Sequence, residues 1–405
     1  VKGLEVVVPV SPNTSYYHYY RANGLVRSPG GYLGEDVDVL YDFVASGDTA
    51  GRANCDKLWR DGIFAAANGR DRATGDYNDF WAARDLLPWV KNIKAAVLLA
   101  HGLNDYNVTP QHSVRIFEEM KARGLNASIY LHQGGHGGNR PADIVNRWYS
   151  HYLYGDDKGV EKDPRAYIVP STAPASVFTP GGPPPSPPVP VPFPTYPVPG
   201  SVPVRLFPTS GGSGIASLAL KAASGADTLT DDVAFSGSAL ASADRSPNRL
   251  LYATPVLTDT LHISGTPRVT LRVAANKAAA NLTVWLVQLP YDSARIGSQG
   301  QQGVVTRGWA DIRNAQSLAK GGDYNSKRRG EALKPGAFYE LTFDLEPDDQ
   351  FVVPGKRLGV MVMSSDREFT LWPQAGTQLT IDLTRSSFSI PIVGGVKALN
   401  AAGVR

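Results

Sequence analysis

The sequence predicts an α/β layer followed by an all-β domain, and three observations carry that prediction. Strand-like and helix-like segments alternate before residue 170. Prolines crowd the stretch 170–208. Beyond it the apolar residues recur with period two. The expected boundaries are 1–168 for a partial α/β domain with a helical insertion at 27–89, 169–208 for a Pro-rich linker, 209–395 for a jelly-roll β-sandwich and 396–405 for a tail.

The first strand is the β-branched run at 4–10 and the second is the near-continuous apolar run at 95–100. Unbroken apolar runs of this length suit parallel strands buried on both faces. Thr109-Pro110 then opens a helix with a capping hydroxyl and a proline in the first turn. Val114, Phe117 and Lys121 mark its inner stripe, and Gly124 ends it. Residues 127–131 form the next strand. Pro141 opens a last helix with Ile144, Trp148 and Tyr152 on one face, stopped near Gly155. Between the first two strands, helical periodicity recurs at 37–44, 57–68 and 76–87. That insertion is either a lid over the strand ends or a peripheral helical pack. Proline density over 170–208 forbids sheet interior and favours a stiff polyproline spacer. Past it, Val269-x-Leu271-x-Val273, Leu282-x-Val284-x-Leu286 and Tyr339-x-Leu341-x-Phe343 alternate as sandwich strands do.

A chain of 405 residues with 42% hydrophobic and 19% charged residues builds more than one core. The net charge is +3 without a dense basic run, which excludes a nucleic-acid footprint. The apolar stretches are strand-length, so no membrane-spanning helix is expected. Cys55 stands alone, which rules out an intrachain disulfide and a cysteine zinc site. The chain has no initiator Met and starts on a strand-like run, so it is expected to be a fragment or a processed chain.

Chemistry concentrates on two loops. Asp105 follows the second strand and precedes a helix, at the carboxyl end of the sheet where open α/β sheets place their sites. His136 follows the next strand inside Gly134-Gly135-His136-Gly137-Gly138, whose glycines let the backbone turn sharply and leave the imidazole unobstructed. The order acid then histidine on consecutive strand-end loops matches the Ser…Asp…His order of α/β hydrolases. The expected fold is therefore the C-terminal half of an α/β-hydrolase domain. Asp105 would hold the tautomer and His136 would deprotonate a serine. No Gly-x-Ser-x-Gly occurs; Ser213 comes closest, but lies past the linker. His101 reads as a strand-end packing residue and His132 as a surface residue. A metal site from His101, Asp105 and His136 would lack a further ligand, so no metal and no cofactor is expected. The cluster Tyr16-Tyr17-His18-Tyr19-Tyr20 faces either a cleft or the core.

Several separated motifs carry a family resemblance. They are Tyr16-Tyr17-His18-Tyr19-Tyr20-Arg21, the stretch at 29–36, Gly75-Asp76-Tyr77-Asn78-Asp79-Phe80-Trp81 and His101-Gly102-Leu103-Asn104-Asp105-Tyr106-Asn107. In the β domain Thr306-Arg307-Gly308-Trp309 and Ser364-Ser365-Asp366-Arg367 continue it. Together they resemble the X-prolyl dipeptidyl-peptidases, which share a broader group with the cocaine-esterase-like acyl hydrolases. The resemblance implies a Ser-Asp-His triad with Asp105 and His136 as acid and base. It also implies a proline pocket lined by Tyr16 and Tyr19, and Asn107 holding the substrate backbone. The nucleophile would lie about a dozen residues before Val1, on an upstream segment or companion polypeptide. The carboxylate that binds the substrate amine is expected there too. The implied function is a serine exopeptidase releasing N-terminal Xaa-Pro dipeptides through an acyl-enzyme. An ester or amide acyl hydrolase and a non-catalytic binding chain are the alternatives. The expected partners are peptides with proline in second position, with homo-oligomer formation open, and the expected location is extracellular.

Overall fold

The computed structural model describes residues 2–28, 34–46, 52–138, 140–157, 159–173, 188–294, 303–318 and 325–405. The motif residues 29–33 and the densest prolines, 174–187, lie outside them.

The first layer is a five-stranded sheet in the order Val6–Val7, Ala96–Gly102, Ala127–His132, Ala166–Ile168, Val191–Phe193. The first four strands are parallel and the last is antiparallel. Every residue of Ala96–Gly102 and of Ala127–His132 is buried, as their unbroken apolar runs require. Alternate side chains of the second strand serve two cores. Val97 and Leu99 pack with Val114, Phe117 and Met120 of the helix Gln111–Ala122. Ala96 and Leu98 pack with Trp148 of the helix Ala142–Tyr154 on the opposite face. Burying a side chain such as Phe117 contributes about 1.5–3 kcal/mol.

Several local expectations change. Pro9 has no N–H to give a ladder, so the run at 4–10 shortens to Val6–Val7 plus one bridge between Val10 and Ala100. Pro110 itself is the N-cap and no side chain caps that helix. The Thr109 hydroxyl instead accepts from Gln111 Nε2 at 3.2 Å. Lys121 is exposed, and fully buried Met120 fills the inner stripe in its place. Gly124 and Gly155 do end their helices, both with left-handed backbone.

The insertion holds helices Val37–Ser46, Arg52–Gly69 and Asp79–Ala82. Arg21 anchors it: its two terminal nitrogens donate to both Asp36 oxygens, at 3.3 and 3.0 Å, and also to Tyr20 O and Arg70 O. Both partners are fully buried, and the carboxylate and two carbonyls satisfy the terminal nitrogens, while Nε has no hydrogen-bond partner among the described residues.

The linker expected over 169–208 is narrower. Val191–Phe193 joins the α/β sheet as its edge strand, where Pro192 costs no needed donor. Ser201–Pro208 pairs with the long strand Gln378–Val393 of the β domain. The expected tail is also structured: Gly395–Ala401 is helical, and Leu399 and Val404 are fully buried. The period-two residues, among them Leu271, Val273, Leu282, Val284, Leu286, Leu341 and Phe343, meet in one large core. The result is an α/β-hydrolase-like domain followed by a β-rich domain.

The two domains share a polar seam beneath the sheet's carboxyl end. Gln133 Nε2 donates to Val169 O and Asp349 O at 3.0 and 3.1 Å. Tyr196 donates to Asp348 O at 2.9 Å.

Candidate active site

Asp105 sits in the turn after the strand Ala96–Gly102 and is fully buried. Its Oδ1 accepts from the N–H groups of Asn107 and Val108 at 3.1 and 3.0 Å. Its Oδ2 lies 2.9 Å from Nδ1 of His136. Burial alone would raise this carboxyl, but hydrogen bonds from His101 and His136 outweigh it and hold it down at about 2. Asp105 is therefore an acceptor and His136 Nδ1 the donor, which leaves Nε2 as the basic nitrogen of a side chain two-fifths exposed (42%). The Asp105 hydrogen bond raises His136 above its ordinary value, against a smaller burial effect.

The loop around His136 is built on His132. Gly134 N–H donates to His132 Nδ1 at 3.1 Å, and Nε2 meets the Gly137 carbonyl at 3.0 Å. His132 is thus a buried scaffold, not the surface residue expected. A Cβ at Gly138 would lie 2.4 Å from the His132 ring, and φ there is +90°, so glycine is needed to seat His132 as well as to free His136. Ser11, with left-handed backbone (φ 45°), accepts from Gly137 N at 3.1 Å and ties the loop to the first strand. His101 is buried behind Asp105. Its Nε2 donates to Val108 O at 2.8 Å and lies 3.5 Å from Asp105 Oδ2, while Nδ1 meets Ser113 Oγ at 2.6 Å. With both nitrogens engaged, His101 has none to offer the His101–Asp105–His136 metal alternative.

A cluster of aromatic side chains lies beside the pair. The short helix Tyr16–Tyr20 buries Tyr17, Tyr19 and Tyr20 with Tyr77, Trp81 and Val108, and half-buried Tyr16 packs on that cluster. Tyr17 is structural: its hydroxyl donates to Gly75 O and accepts from Gly24 N. Tyr19 donates to Asn107 Oδ1 at 2.9 Å. Four of the five expected site residues, Asp105, His136, Tyr19 and Asn107, thus join through one turn, with Tyr16 on the same short helix as Tyr19. Sequence reasoning missed Glu35, half-buried and accepting from Tyr20 at 3.3 Å. Burial raises its carboxyl, countered in part by the Tyr20 hydrogen bond. Its sequence signals are its place in the motif stretch 29–36 and beside Asp36, whose Oδ1 accepts from Val37 N.

Fold and site together define an α/β-hydrolase-like chain with a hydrogen-bonded carboxylate–imidazole pair at the strand ends and an aromatic cluster beside it. Comparison with known proteins agrees. Residues 1–138 match the family described as X-Pro dipeptidyl-peptidase (S15 family), and residues 161–401 match the X-Pro dipeptidyl-peptidase C-terminal non-catalytic domain. The chain belongs to the X-Pro dipeptidyl-peptidase family. A Rhodopirellula baltica protein, provisionally named as an Xaa-Pro dipeptidyl-peptidase, is 47% identical over 99% of this chain and 61% of its own length. A Bacillus anthracis protein with the same provisional name is 32% identical over 97% of the chain and 60% of its length. The chain thus spans about three-fifths of these relatives. Among solved structures, a CocE/NonD family hydrolase from Staphylococcus aureus superposes with TM-score 0.66 at 13% identity, covering 96% of this chain and 67% of that one. An α-amino acid ester hydrolase gives 0.64 at 15% identity, over 96% and 73%.

Proposed function

We propose that this chain supplies the acid, the base and the proline pocket of a serine exopeptidase that releases N-terminal Xaa-Pro dipeptides. The observation that carries this reading is the Asp105–His136 hydrogen bond at 2.9 Å, linked through Asn107 to Tyr19 of the aromatic cluster, which we read as the proline pocket. His136 Nε2 takes the proton of a serine hydroxyl as that oxygen attacks the carbonyl after proline. It then returns the proton to the leaving amine, and water repeats the cycle on the acyl-enzyme. Asp105 fixes the tautomer and stabilises the imidazolium. Tyrosine faces suit a compact apolar ring that has no N–H to satisfy.

Glu35 takes the role expected of an upstream carboxylate. It accepts from Tyr20 of the aromatic cluster and, half-buried, can pair with the ammonium of a dipeptide's first residue. We take the β-rich domain as a jelly roll and the serine as lying on a segment outside these 405 residues. The sequence lacks Gly-x-Ser-x-Gly, and among the described residues Val6–Val7 pairs on one side only, which leaves its other edge for a further strand. Purification from the source cell with a fluorophosphonate probe tests this. Label on a Gly-x-Ser-x-Gly segment together with Gly-Pro chromogenic turnover is expected. Turnover of N-blocked esters alone would favour a general acyl hydrolase, and neither label nor turnover would favour a binding chain.

A further inference from the structure

Tyr106 stands between Asp105 and Asn107, yet its ring leaves the α/β layer and enters the β domain. There the Arg307 guanidinium lies 3.9 Å from the Tyr106 ring centre, 4.3 Å from that of Trp285 and 4.6 Å from that of Phe369. Tyr106 and Phe369 also meet edge to face at 5.8 Å. Fully buried Asp366 closes this box. Its Oδ2 accepts from the indole N–H groups of Trp285 and Trp309 at 3.0 and 2.9 Å and lies 3.9 Å from Arg307. Arg307 Nε and Nη1 make no hydrogen bond among the described residues, so ring faces and one carboxylate hold the cation. From the other side, Arg27 donates to Tyr106 O and Asn107 O at 2.9 and 2.8 Å and lies over Trp309 at 5.3 Å.

These contacts reach the acid through its own turn. The Asp105 carboxylate is aimed by the N–H groups of Asn107 and Val108, and the peptide units that carry them follow Tyr106. A displacement of the Tyr106 ring rotates those amides and the carboxylate with them. An error of 1 Å at a reacting group can cost about 10²-fold in rate. We propose that Arg307 is a positioning residue: caged by aromatic rings of the β domain, it holds the 105–108 turn so that Asp105 reaches His136. The domain described in its family as non-catalytic would then set the acid–base geometry. The proposal rests on the acid–base reading above and adds the element that fixes it.

The test is the proton titration of His136 Hε1 by NMR in the whole chain, which needs no substrate. Arg307→Met is expected to lower the His136 midpoint by about half a pH unit or more, toward the value in Asp105→Asn. Arg307→Lys should rescue in part, because an ammonium keeps the charge but not the planar stack. Arg249→Met is the control. Arg249 is equally buried in the β domain but binds the carbonyls of Gly212, Ser213, Gly214, Leu240 and Ala243. Its loss should leave His136 unmoved. An unchanged midpoint in folded Arg307→Met, or an equal shift in both variants, overturns the proposal. Should Arg307→Met not fold, Phe369→Leu removes one wall; a smaller shift in the same direction supports the proposal and no shift overturns it. Failure of Xaa-Pro cleavage would sink the substrate reading and leave this titration intact.

Discussion

Tyr19 donates its phenolic hydrogen to Asn107 Oδ1 at 2.9 Å, so the aromatic helix Tyr16–Tyr20 and the turn that carries Asp105 are one hydrogen-bonded unit. With Oδ1 occupied by Tyr19, a substrate carbonyl would meet the Asn107 amide through its N–H groups. Burial raises the Tyr19 hydroxyl to about 12, so it remains a donor throughout the working pH range. Tyr19→Phe keeps the ring and releases Asn107. One hydrogen bond contributes about 0.5–1.5 kcal/mol, so KM for Xaa-Pro substrates should rise roughly 2–10-fold with kcat little changed. Tyr19→Ala removes the ring as well and should raise KM further for proline substrates than for small esters. Steady-state kinetics on Gly-Pro and acetyl esters would show this, and an equal rise for both would count against a proline pocket.

The acid–base pair makes a pH prediction with a definite sign. His136 is raised above its ordinary 6.5, first by the Asp105 hydrogen bond. The base works only when neutral, so kcat/KM should fall as pH drops through that raised value. Asp105→Asn removes the carboxylate, so the acidic limb should move to lower pH while kcat falls by about 10⁴. His136→Ala should abolish turnover and leave the fold intact. A pH–rate profile whose acidic limb stays in place in Asp105→Asn would separate the limb from His136.

Glu35 predicts discrimination between free and blocked amines. A hydrogen bond to a charged group contributes about 1.5–3 kcal/mol. Glu35→Gln should therefore raise KM for free dipeptidyl substrates by roughly 10–100-fold, and change it little for N-acetylated ones. Paired kinetics on the two substrate classes decide; parallel losses would remove Glu35 from amine recognition.

Asp105 and His136 were legible because each follows a largely apolar, fully buried strand and lies in a loop at its end. Their spacing in sequence mirrors their adjacency in the sheet, so local pattern and tertiary position agree. Glu35 was not legible, since its role arises where the start of the insertion folds back on Tyr20. Arg307 was quoted only as part of a motif, because an arginine in a period-two strand reads as an outward residue. It is 97% buried, with Tyr106 coming from the other domain to join Trp285 and Phe369 over it. His132 misled for the same reason: nothing in the sequence says that the following glycines wrap its ring. The prolines misled at 191–208: Val191–Phe193 is an edge strand, which tolerates them, and Ser201–Pro208 pairs with two strands despite its prolines, which periodicity alone does not reveal.

Asp348, at the seam between the domains, gives a stability prediction. It is 1% exposed, its Oδ1 accepts from the Asp349 N–H at 2.6 Å, and its Oδ2 has no hydrogen-bond partner among the described residues. Burial pushes its carboxyl well above the ordinary 3.8, and the neighbouring Asp349 charge adds to the rise. A folded value above the unfolded one means that protonation favours the native state. Its contribution is complete below pH 3.8 and is lost as pH climbs through the folded value. Each pH unit between the two values costs about 1.4 kcal/mol on the alkaline side. Asp348→Asn keeps the shape and an acceptor but removes the ionisation. Its Tm should match that of the parent near pH 4 and exceed it at pH 8. Thermal melts at the two pH values measure this directly, and a Tm that falls at pH 8 would mean the ionised carboxylate itself holds the seam.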